Sequence, residues 1–293
     1  MDERTALAER FEEDRSHLRA VAYRMLGSAS EADDAVQESW MRASQADVSE
    51  VQNLTGWLTT VVGRVCLNML RTRRTRREEP LDTYDRTSGP GDGDDPEQEA
   101  LLADSVGLAL LVVLDRLAPA ERLAFVLHDM FAVPFAEIGS LLDRSPDTAR
   151  QLASRARRRV KGGATTPADP DLPRRRRVVE AFLSASRAGD FDALVALLHP
   201  DVVLHADRSV IPTPEPVVVR GGRTVAQGAM AATGRALFTG VALVDGEVAL
   251  AMAPHGRLRL VLGFTIVDGL ITEIDVVAEP DRIDAFDVGV LDD

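Results

Sequence analysis

The chain has 293 residues, with 34 basic and 47 acidic side chains and a net charge of −13 at pH 7. This length is typical of two or three domains. The single cysteine, Cys66, excludes an intrachain disulfide, and without a Cys/His cluster it argues against a structural zinc site. We expect its thiol to be buried, as free cysteines in folded proteins usually are.

Segments that would direct the chain to a membrane are missing from the sequence. It contains neither a secretory signal peptide nor an apolar run long enough to cross a bilayer. The sequence therefore predicts a cytoplasmic protein without a membrane partner. We expect no metal ion and no cofactor.

The acidic excess is unevenly distributed along the chain. Residues 1–77 carry 12 basic and 12 acidic side chains, and residues 101–173 carry 9 of each. Residues 78–100 carry 1 basic and 9 acidic side chains, and residues 174–293 carry 12 and 17. Because local basic surfaces govern contact with phosphates, the negative net charge does not exclude nucleic-acid binding.

The N-terminal part predicts helices. Residues 6–26 have the apolar periodicity of one or two amphipathic helices, and Gly27 interrupts the pattern. Ser30 is a candidate N-cap for the next helix, over Glu31–Ala43. The outward face of that helix consists of Asp34, Gln37, Glu38 and Met41. An exposed methionine among acidic and amide groups suits a protein partner, although an ordinary solvated face would give the same pattern.

A third helix is predicted to start at Asn53 or Thr55, after a polar loop. Between residues 64 and 77 the sequence has six arginines and no acidic residue. Such a stripe suits nucleic-acid phosphates, and a solvated helix end is the alternative.

Residues 134–161 predict a helix-turn-helix. Asp143 and Arg144 form the turn, Ser145 is a natural N-cap, and Pro146 suits the first helical position. The second helix has one face of small apolar side chains, namely Ala149, Leu152, Ala153, Ala156 and Val160. Its opposite face consists of Asp147, Arg150, Gln151, Ser154 and Arg158. These two faces suit docking in a DNA major groove, and a surface helix with a solvated basic face is the alternative.

The C-terminal part has a different pattern. Helices are predicted after Arg174, and a further helix over residues 224–237 interrupts the strand-like runs. Asp245-Gly246 and Asp268-Gly269 predict hairpin turns. The strand-like runs are Val202–His205, Val241–Ala251, Leu258–Val267 and Leu270–Val277. This order indicates an α+β domain with a sheet curled around helices.

In this order, residues 18–43, 56–74 and 114–160 resemble extracytoplasmic-function sigma factors, which are promoter-specificity subunits of bacterial RNA polymerase. DAVQESW (34–40) is similar to the helix of that family that binds the polymerase clamp. RSPDTARQLASRARR (144–158) is similar to the helix that reads the −35 element. The C-terminal 120 residues resemble a SnoaL-like domain of the NTF2-like fold, an extension thought to regulate activity in a subgroup of the family.

The resemblance implies a multidomain chain of two all-α modules followed by an α+β cone. The expected boundaries are region 2 at 1–77, an acidic linker at 78–100, region 4 at 101–161, a second linker at 162–173 and the SnoaL-like domain at 174–293. Three short segments depart from the subgroup. The first linker has PLDTYD (80–85) and no tryptophan, whereas a Trp-Leu-Pro motif is usual there. Asp207-Arg208-Ser209 stands where a glycine triplet is usual, and EPDRI (279–283) stands where Asn-Pro-Asp-Lys-Leu is usual.

The resemblance also implies roles for individual residues. The residues expected to bind core polymerase are Asp34, Gln37, Glu38, Met41 and Arg42. Those expected at the −10 element, together with the loop at 44–53, are Arg64, Asn68, Arg71, Arg73 and Arg74. Those expected at the −35 element are Arg144, Ser145, Thr148, Arg150, Gln151, Ser154, Arg155 and Arg158.

In the C-terminal domain, His205 and Asp207 lie two apart on a predicted strand and therefore point to the same face. They are candidates for lining a pocket that takes a small-molecule ligand, and a polar rim or a structural hydrogen bond is the alternative. We expect no enzyme activity, because the sequence holds no complete catalytic constellation. Two other hypotheses are a one-component regulator with a ligand-sensing domain and an NTF2-like enzyme fused to a DNA-binding module.

Overall fold

A computed structural model describes residues 3–78, 106–162, 171–210 and 215–291. The chain divides into two units, one made of residues 1–99 and 114–158 and the other of residues 100–113 and 159–293. The predicted acidic linker, apart from Glu78, and most of the second linker lie outside the described residues.

Three helices form an N-terminal bundle: α1 (Glu3–Leu26), α2 (Ala29–Ala43) and α3 (Leu54–Glu78). Gly27, at φ +77°, ends α1 as predicted. The predicted N-cap Ser30 is wrong, because Ser28 is extended and its Oγ accepts the N–H of Glu31 at 3.5 Å. The helix therefore starts two residues earlier than an N-cap at Ser30 requires.

The helix-turn-helix segment (residues 106–162) holds four helices and a turn of π-helix. They are α4 (Leu108–Arg116), α5 (Pro119–Phe125), the π-helical turn (Val126–Met130), α6 (Phe135–Leu142) and α7 (Pro146–Val160). The turn between α6 and α7 uses Asp143 in the left-handed region at φ 54°. Gly139 is needed there, because a Cβ at this position would lie 2.8 Å from the Arg144 carbonyl oxygen.

The C-terminal domain (residues 171–291) is an α+β structure, as predicted. Its elements are α8 (Leu172–Ala188), α9 (Phe191–Leu197), β1 (Leu198–Ala206), β2 (Val217–Arg220), α10 (Gly222–Ala231), α11 (Thr233–Ala236), β3 (Thr239–Val244), β4 (Glu247–Met252), a 3-10 turn (Pro254–Gly256), β5 (Leu260–Val267), β6 (Leu270–Val277), α12 (Pro280–Ala285) and β7 (Val288–Gly289). One seven-stranded sheet has the order β2-β1-β6-β5-β4-β3-β7. The strands pair antiparallel except β1 and β6, which run parallel.

Both predicted hairpin turns are confirmed. Asp245 and Gly246 have φ of 51° and 86°, and Asp268 and Gly269 have φ of 52° and 85°, the left-handed geometry that favours Asp-Gly. The core of the domain lies between sheet and helices and contains Val179, Leu194, Ile271 and Ile274 at 0% exposure.

In the parts of the chain that the structure describes, no helix is both long enough and apolar enough to cross a bilayer.

Candidate functional site

The outward face of α2 is the first candidate surface. Asp34, Gln37 and Arg42 are exposed, and Met41 is exposed to 47%. Glu38 accepts a hydrogen bond from Arg42 Nε at 2.8 Å, one helical turn along. The opposite side of α2 is buried through Ala32, Ala35 and Val36, which fixes which side faces out. The exposed face thus combines acidic, amide and thioether groups.

The basic side of α3 is the second candidate surface. Arg64, Asn68 and Arg71 are exposed and recur at helical spacing, so they form one row along the helix. Arg74 is also exposed. The row stands on a buried face that includes Val62 and Cys66. Burial raises the pKa of the Cys66 thiol, so this cysteine is the buried group expected from the sequence.

Arg73 differs from the other arginines of α3. Its guanidinium pairs with the Glu31 carboxylate at the start of α2 and donates to the Leu26 carbonyl oxygen at 3.4 Å. Its side chain is exposed to only 23%. The structure therefore engages Arg73 in holding α3 against α2 and the end of α1, away from the row formed by Arg64, Asn68 and Arg71.

The second helix of the helix-turn-helix, α7, presents the third candidate surface. Ala149, Ala153 and Ala156 are fully buried, so the opposite side faces solvent. Of the predicted −35 residues, Thr148 is half-buried, and the exposed ones are Arg144, Ser145, Arg150, Gln151, Ser154, Arg155 and Arg158. The Ser145 Oγ accepts the N–H of Thr148 at 3.2 Å, so Ser145 caps the helix as predicted.

Contacts with neighbouring elements and within the helix hold α7 and its side chains in place. Arg157 donates to the Asp129 carboxylate at 2.5 Å, which ties α7 to the π-helical turn. Arg150 donates to Asp147 at 2.5 Å and lies 5.4 Å from the centroid of the Phe135 ring. Asp129 and Phe135 were not among the predicted site residues, because their partners in α7 lie fifteen or more positions away along the chain.

The N-terminal bundle and part of the helix-turn-helix segment pack together within one unit. Arg122, at 3% exposure, donates to the Met25 carbonyl oxygen at 2.9 Å and to Asp115 at 3.3 Å. A Cβ at Gly63 would lie 3.1 Å from a methyl of Leu127, so the helices approach closely there. No local pattern indicated that Arg122 would be buried, because an arginine in a short helix usually faces solvent.

The C-terminal domain contains a partly open apolar cavity of about 230 Å³ between its sheet and its helices. Its walls include Phe182, Leu250 and Ile274, and its polar lining residues are Ser186, Thr224, Arg235 and Thr239. The Ser186 hydroxyl donates to the Phe182 carbonyl, and the Thr239 hydroxyl donates to the Arg235 carbonyl. The described lining therefore offers a mainly apolar surface with one charged residue, Arg235, and no carboxylate, imidazole or thiol.

His205 and Asp207 do not line this cavity. They lie at a separate polar depression of about 270 Å³ that also includes Asp275 and Arg282. The His205 Nε2 is 3.3 Å from a carboxylate oxygen of Glu273. The two side chains are thus on one face, as the spacing predicts, but they are engaged with different partners.

Asp207 joins two segments of the C-terminal domain. Its Oδ2 accepts the N–H groups of Ala278 at 2.7 Å and Glu279 at 2.9 Å, and its Oδ1 accepts that of Ser209. Partial burial acts to raise the pKa of this carboxyl, but the backbone donors outweigh it, and the pKa lies below its ordinary value. The sequence segments 207–209 and 279–283, both noted above as unusual, therefore meet at Asp207.

Comparisons with known proteins agree with the sequence analysis. Residues 10–76 match the family Sigma-70 region 2, and residues 107–160 match Sigma-70, region 4. The ECF RNA polymerase sigma factor SigJ of Mycobacterium tuberculosis strain H37Rv is 39% identical over 296 residues, which cover 93% of this chain and 91% of that protein.

Two solved structures are similar. The crystal structure of M. tuberculosis extracytoplasmic function sigma factor SigJ is 36% identical with a TM-score of 0.45, covering 94% of this chain and 97% of that one. An NTF2-like protein of unknown function from Mesorhizobium loti is 15% identical with a TM-score of 0.28, covering 38% of this chain and 95% of that one.

Proposed function

The chain belongs to the extracytoplasmic-function sigma factors of RNA polymerase, and from this premise we propose how its surfaces divide the work of transcription initiation. As a sigma factor it directs core RNA polymerase to promoters. The observation that carries the division is that three exposed faces of different chemistry stand on three separate helices, α2, α3 and α7. A subunit that works with polymerase on the chromosome acts in the cytoplasm.

The outward face of α2 binds core polymerase. Asp34, Gln37 and Glu38 present acidic and amide groups that suit a basic partner surface, and Arg42 adds a charged group beside Glu38. Met41 supplies an exposed, adaptable apolar contact of the kind that protein interfaces use.

The row on α3 binds the −10 element. Arg64 and Arg71 can hold backbone phosphates, and Asn68 between them can donate and accept hydrogen bonds. The polar loop at 44–53 precedes α3 and can meet an unstacked base, which proteins bind in a pocket. Arg74 adds a phosphate contact at the end of the row. Arg73 contributes by fixing α3 to α2.

The exposed side of α7 binds the −35 element. Ser145 and Arg144 lie at the N-terminal end of the helix, where exposed N–H groups favour a phosphate. Arg150, Gln151 and Ser154 follow on the side that enters the major groove, and Arg155 and Arg158 reach bases or phosphates beyond them.

Two alanine variants test this division. Gln37→Ala should weaken binding to core polymerase and leave binding to a −35 duplex unchanged. Arg150→Ala should weaken binding to the −35 duplex about 5- to 150-fold, because a bidentate arginine–guanine contact is worth about 1–3 kcal/mol, and should leave core binding unchanged. Binding to core polymerase and promoter footprinting are measured for both. Equal loss of both activities in both variants would contradict the division.

Arg10→Ala is the matched control for charge removal. Arg10 lies on α1, is paired only with the neighbouring Glu13 at 3.0 Å among the described contacts, and is remote in sequence from the three faces. It should bind core polymerase and the −35 duplex like the wild type.

The acidic parts of the chain regulate access to the basic faces. Residues 78–100 and 174–293 both carry more acidic than basic side chains, so their field opposes the binding of a second polyanion to the arginines of α3 and α7. A truncation after Pro173 should bind single-stranded −10 DNA, the proposed ligand of α3, more tightly than the full chain does at low salt. The affinities for −10 DNA and for core polymerase are compared for the two proteins, and indistinguishable values would reject an inhibitory role.

The C-terminal domain binds an uncharged apolar small molecule in its 230 Å³ cavity and does not turn it over. Apolar cavities of about 150 Å³ hold benzene, so this one suits a bicyclic aromatic or a compound of similar size. Turnover is not expected, because the described lining holds no acid–base pair.

A pair of glycine variants tests whether the cavity binds an uncharged apolar compound. Gly228 lines the cavity and Gly234 does not, and a Cβ at either position meets no atom within 4 Å. 1-Naphthol should raise the melting temperature of the wild type and of Gly234→Leu, whereas Gly228→Leu should show no shift. 1-Naphthylmethylamine, which is a cation at pH 7 and would meet the Arg235 side chain in the same cavity, should shift none of them. Equal shifts in both variants would place the binding elsewhere.

A further inference from the structure

We propose that residues 288–290, here called the seat, hold the last turn of α7, the proposed recognition helix, in place. Gly289 and Val290 would then be positioning residues for −35 recognition. The strand β7 and residues 159–162 belong to the same unit. The proposal rests on the proposed function of α7 as the −35 helix, and it assigns the end of the chain a task in DNA binding.

The contact begins with a hydrogen bond at the end of α7. The last carbonyl groups of a helix have no partner within the helix and must find one elsewhere. Val160 is the last residue of α7, and its carbonyl oxygen accepts the N–H of Val290 at 3.0 Å. Gly162, two residues on, turns into the left-handed region at φ +75° and donates its N–H to the Arg159 carbonyl at 3.1 Å.

A close backbone approach continues the contact. A Cβ on Gly289 would lie 2.9 Å from the Gly162 Cα and 3.0 Å from the Gly162 nitrogen. Real Cβ atoms essentially never approach other atoms so closely, so only glycine at position 289 allows this backbone separation. The two backbones meet without a side chain between them, which makes the contact sensitive to a single methyl group.

The seat is itself anchored in the sheet. Val288 and Gly289 pair with Val244 and Leu243 of β3. The hairpin turn after β3 reinforces the pairing, because Asp245 donates its N–H to the Asp287 carbonyl and accepts the N–H of Asp287, both at 2.8 Å. The Val290 donor is therefore held by a strand pair and by a turn, on the far edge of the seven-stranded sheet.

The order of the last turn of α7 affects DNA binding because this turn carries basic residues. Arg158 and Arg159 are exposed in the final turn of α7, and helix ends fray when their carbonyls lack partners. Fixing the Val160 carbonyl keeps this turn helical, so Arg158 keeps its spacing from Arg155 and Gln151 along the DNA-facing side. Without the hydrogen bond to the Val160 carbonyl, the last turn frays, and these basic side chains are no longer ordered before DNA binds.

Gly289→Ala in the full chain is the test, and Gly263→Ala is its matched control. A Cβ on Gly263, also in a strand, would meet Asp275 at an ordinary 3.9 Å. We expect Gly289→Ala to bind a −35 duplex about threefold to tenfold more weakly, the range set by losing one backbone hydrogen bond, with unchanged core polymerase affinity. Hydrogen exchange at the Val290 amide should become faster. Gly263→Ala should match the wild type in all three measurements.

The exchange measurement separates this proposal from the −35 assignment. If the Val290 amide loses protection but −35 binding is unchanged or tighter, the seat does not position the helix. If the wild type itself does not bind the −35 duplex, the proposed function fails instead. Should Gly289→Ala not fold, deletion of residues 290–293 removes the donor and leaves the pairing of β7 with β3, and it should weaken −35 binding in the same way. Wild-type affinity in that deletion overturns the proposal.

Discussion

Asp207 has a structural role in the folded domain, although its position in the sequence is also compatible with a role in acid–base catalysis. Its spacing from His205 suggests an acid–base pair, but its oxygens accept N–H groups of Ala278, Glu279 and Ser209. The lowered pKa of Asp207 reflects those donors acting against partial burial. The residue therefore joins the end of β1 to the segment that follows β6.

Asp207→Ala should destabilise the C-terminal domain by about 1–3 kcal/mol at pH 7, because it leaves backbone donors without an acceptor. The pKa of Asp207 is lower in the folded state than in the unfolded state. Its charge therefore contributes stability above the unfolded pKa of about 3.9, and this contribution is lost as the pH falls through the folded pKa. Urea unfolding at pH 7 and pH 3 measures the difference between wild type and variant. A difference that does not shrink at pH 3 would contradict the electrostatic part of this prediction.

At the scale of single elements, α3 separates two kinds of arginine that look alike in the sequence. Arg71 is exposed on the row with Arg64 and Asn68, whereas Arg73 pairs with Glu31 and is mostly buried. The contact between Arg73 and Glu31 spans 42 positions of sequence, so no local pattern could distinguish the two residues.

Alanine substitution should separate their roles. Arg71→Ala should weaken binding to single-stranded −10 DNA and reduce the salt dependence of that binding by about 0.7 in slope, the contribution of one phosphate contact. Arg73→Ala should instead lower stability by about 1–3 kcal/mol, because Glu31 is left half-buried without its cation. Thermal unfolding and salt titrations are run on both variants. The reverse assignment of effects would show that Arg73 is the DNA contact.

Elements with local signals were predictable from the sequence. Ser145 and Pro146 mark the start of α7, and the Asp-Gly pairs mark both hairpins, because these residues favour their conformations whatever surrounds them. The strands β2 and β7 were missed. Val217–Arg220 follows a proline-rich stretch, and Val288–Gly289 is too short for any periodicity. Both depend on a neighbouring strand to exist, which is information that a single segment does not contain.

For the molecule as a whole, the contact between the N-terminal bundle and the helix-turn-helix segment conflicts with the proposal that α3 and α7 bind the −10 and −35 elements at the same time. The −10 and −35 elements are about 25 base pairs apart, or roughly 85 Å at 3.4 Å per base pair. The guanidinium of Arg122 and the carbonyl of Met25, which belong to the two parts, are 2.9 Å apart. The chain between Glu78 and Leu108 has a maximum reach of about 100 Å, so it allows the two parts to separate.

Arg122→Ala should favour the separated arrangement. The variant loses a charged hydrogen bond to the end of α1, worth about 1.5–3 kcal/mol, and leaves Asp115 at a solvent-accessible position. We expect a larger radius of gyration by small-angle X-ray scattering, and faster promoter engagement once core polymerase is present. Arg144→Ala, which removes an exposed charge from the same segment, should leave the radius of gyration unchanged. A radius of gyration equal to that of the wild type in Arg122→Ala would show that this contact does not hold the two parts together.

Because Cys66 is buried, dyes attached to introduced cysteines can be used to observe the separation of the N-terminal bundle from the helix-turn-helix segment. A thiol that is 0% exposed and whose pKa is raised by burial does not react with maleimide dyes at neutral pH. Cysteines introduced at exposed Ser16 of α1 and exposed Ser140 of α6, both outside the proposed binding faces, would therefore be the two reactive thiols of the native protein. A donor and acceptor dye placed there would report the distance between the N-terminal bundle and the helix-turn-helix segment in single molecules, before and after core polymerase and promoter are added.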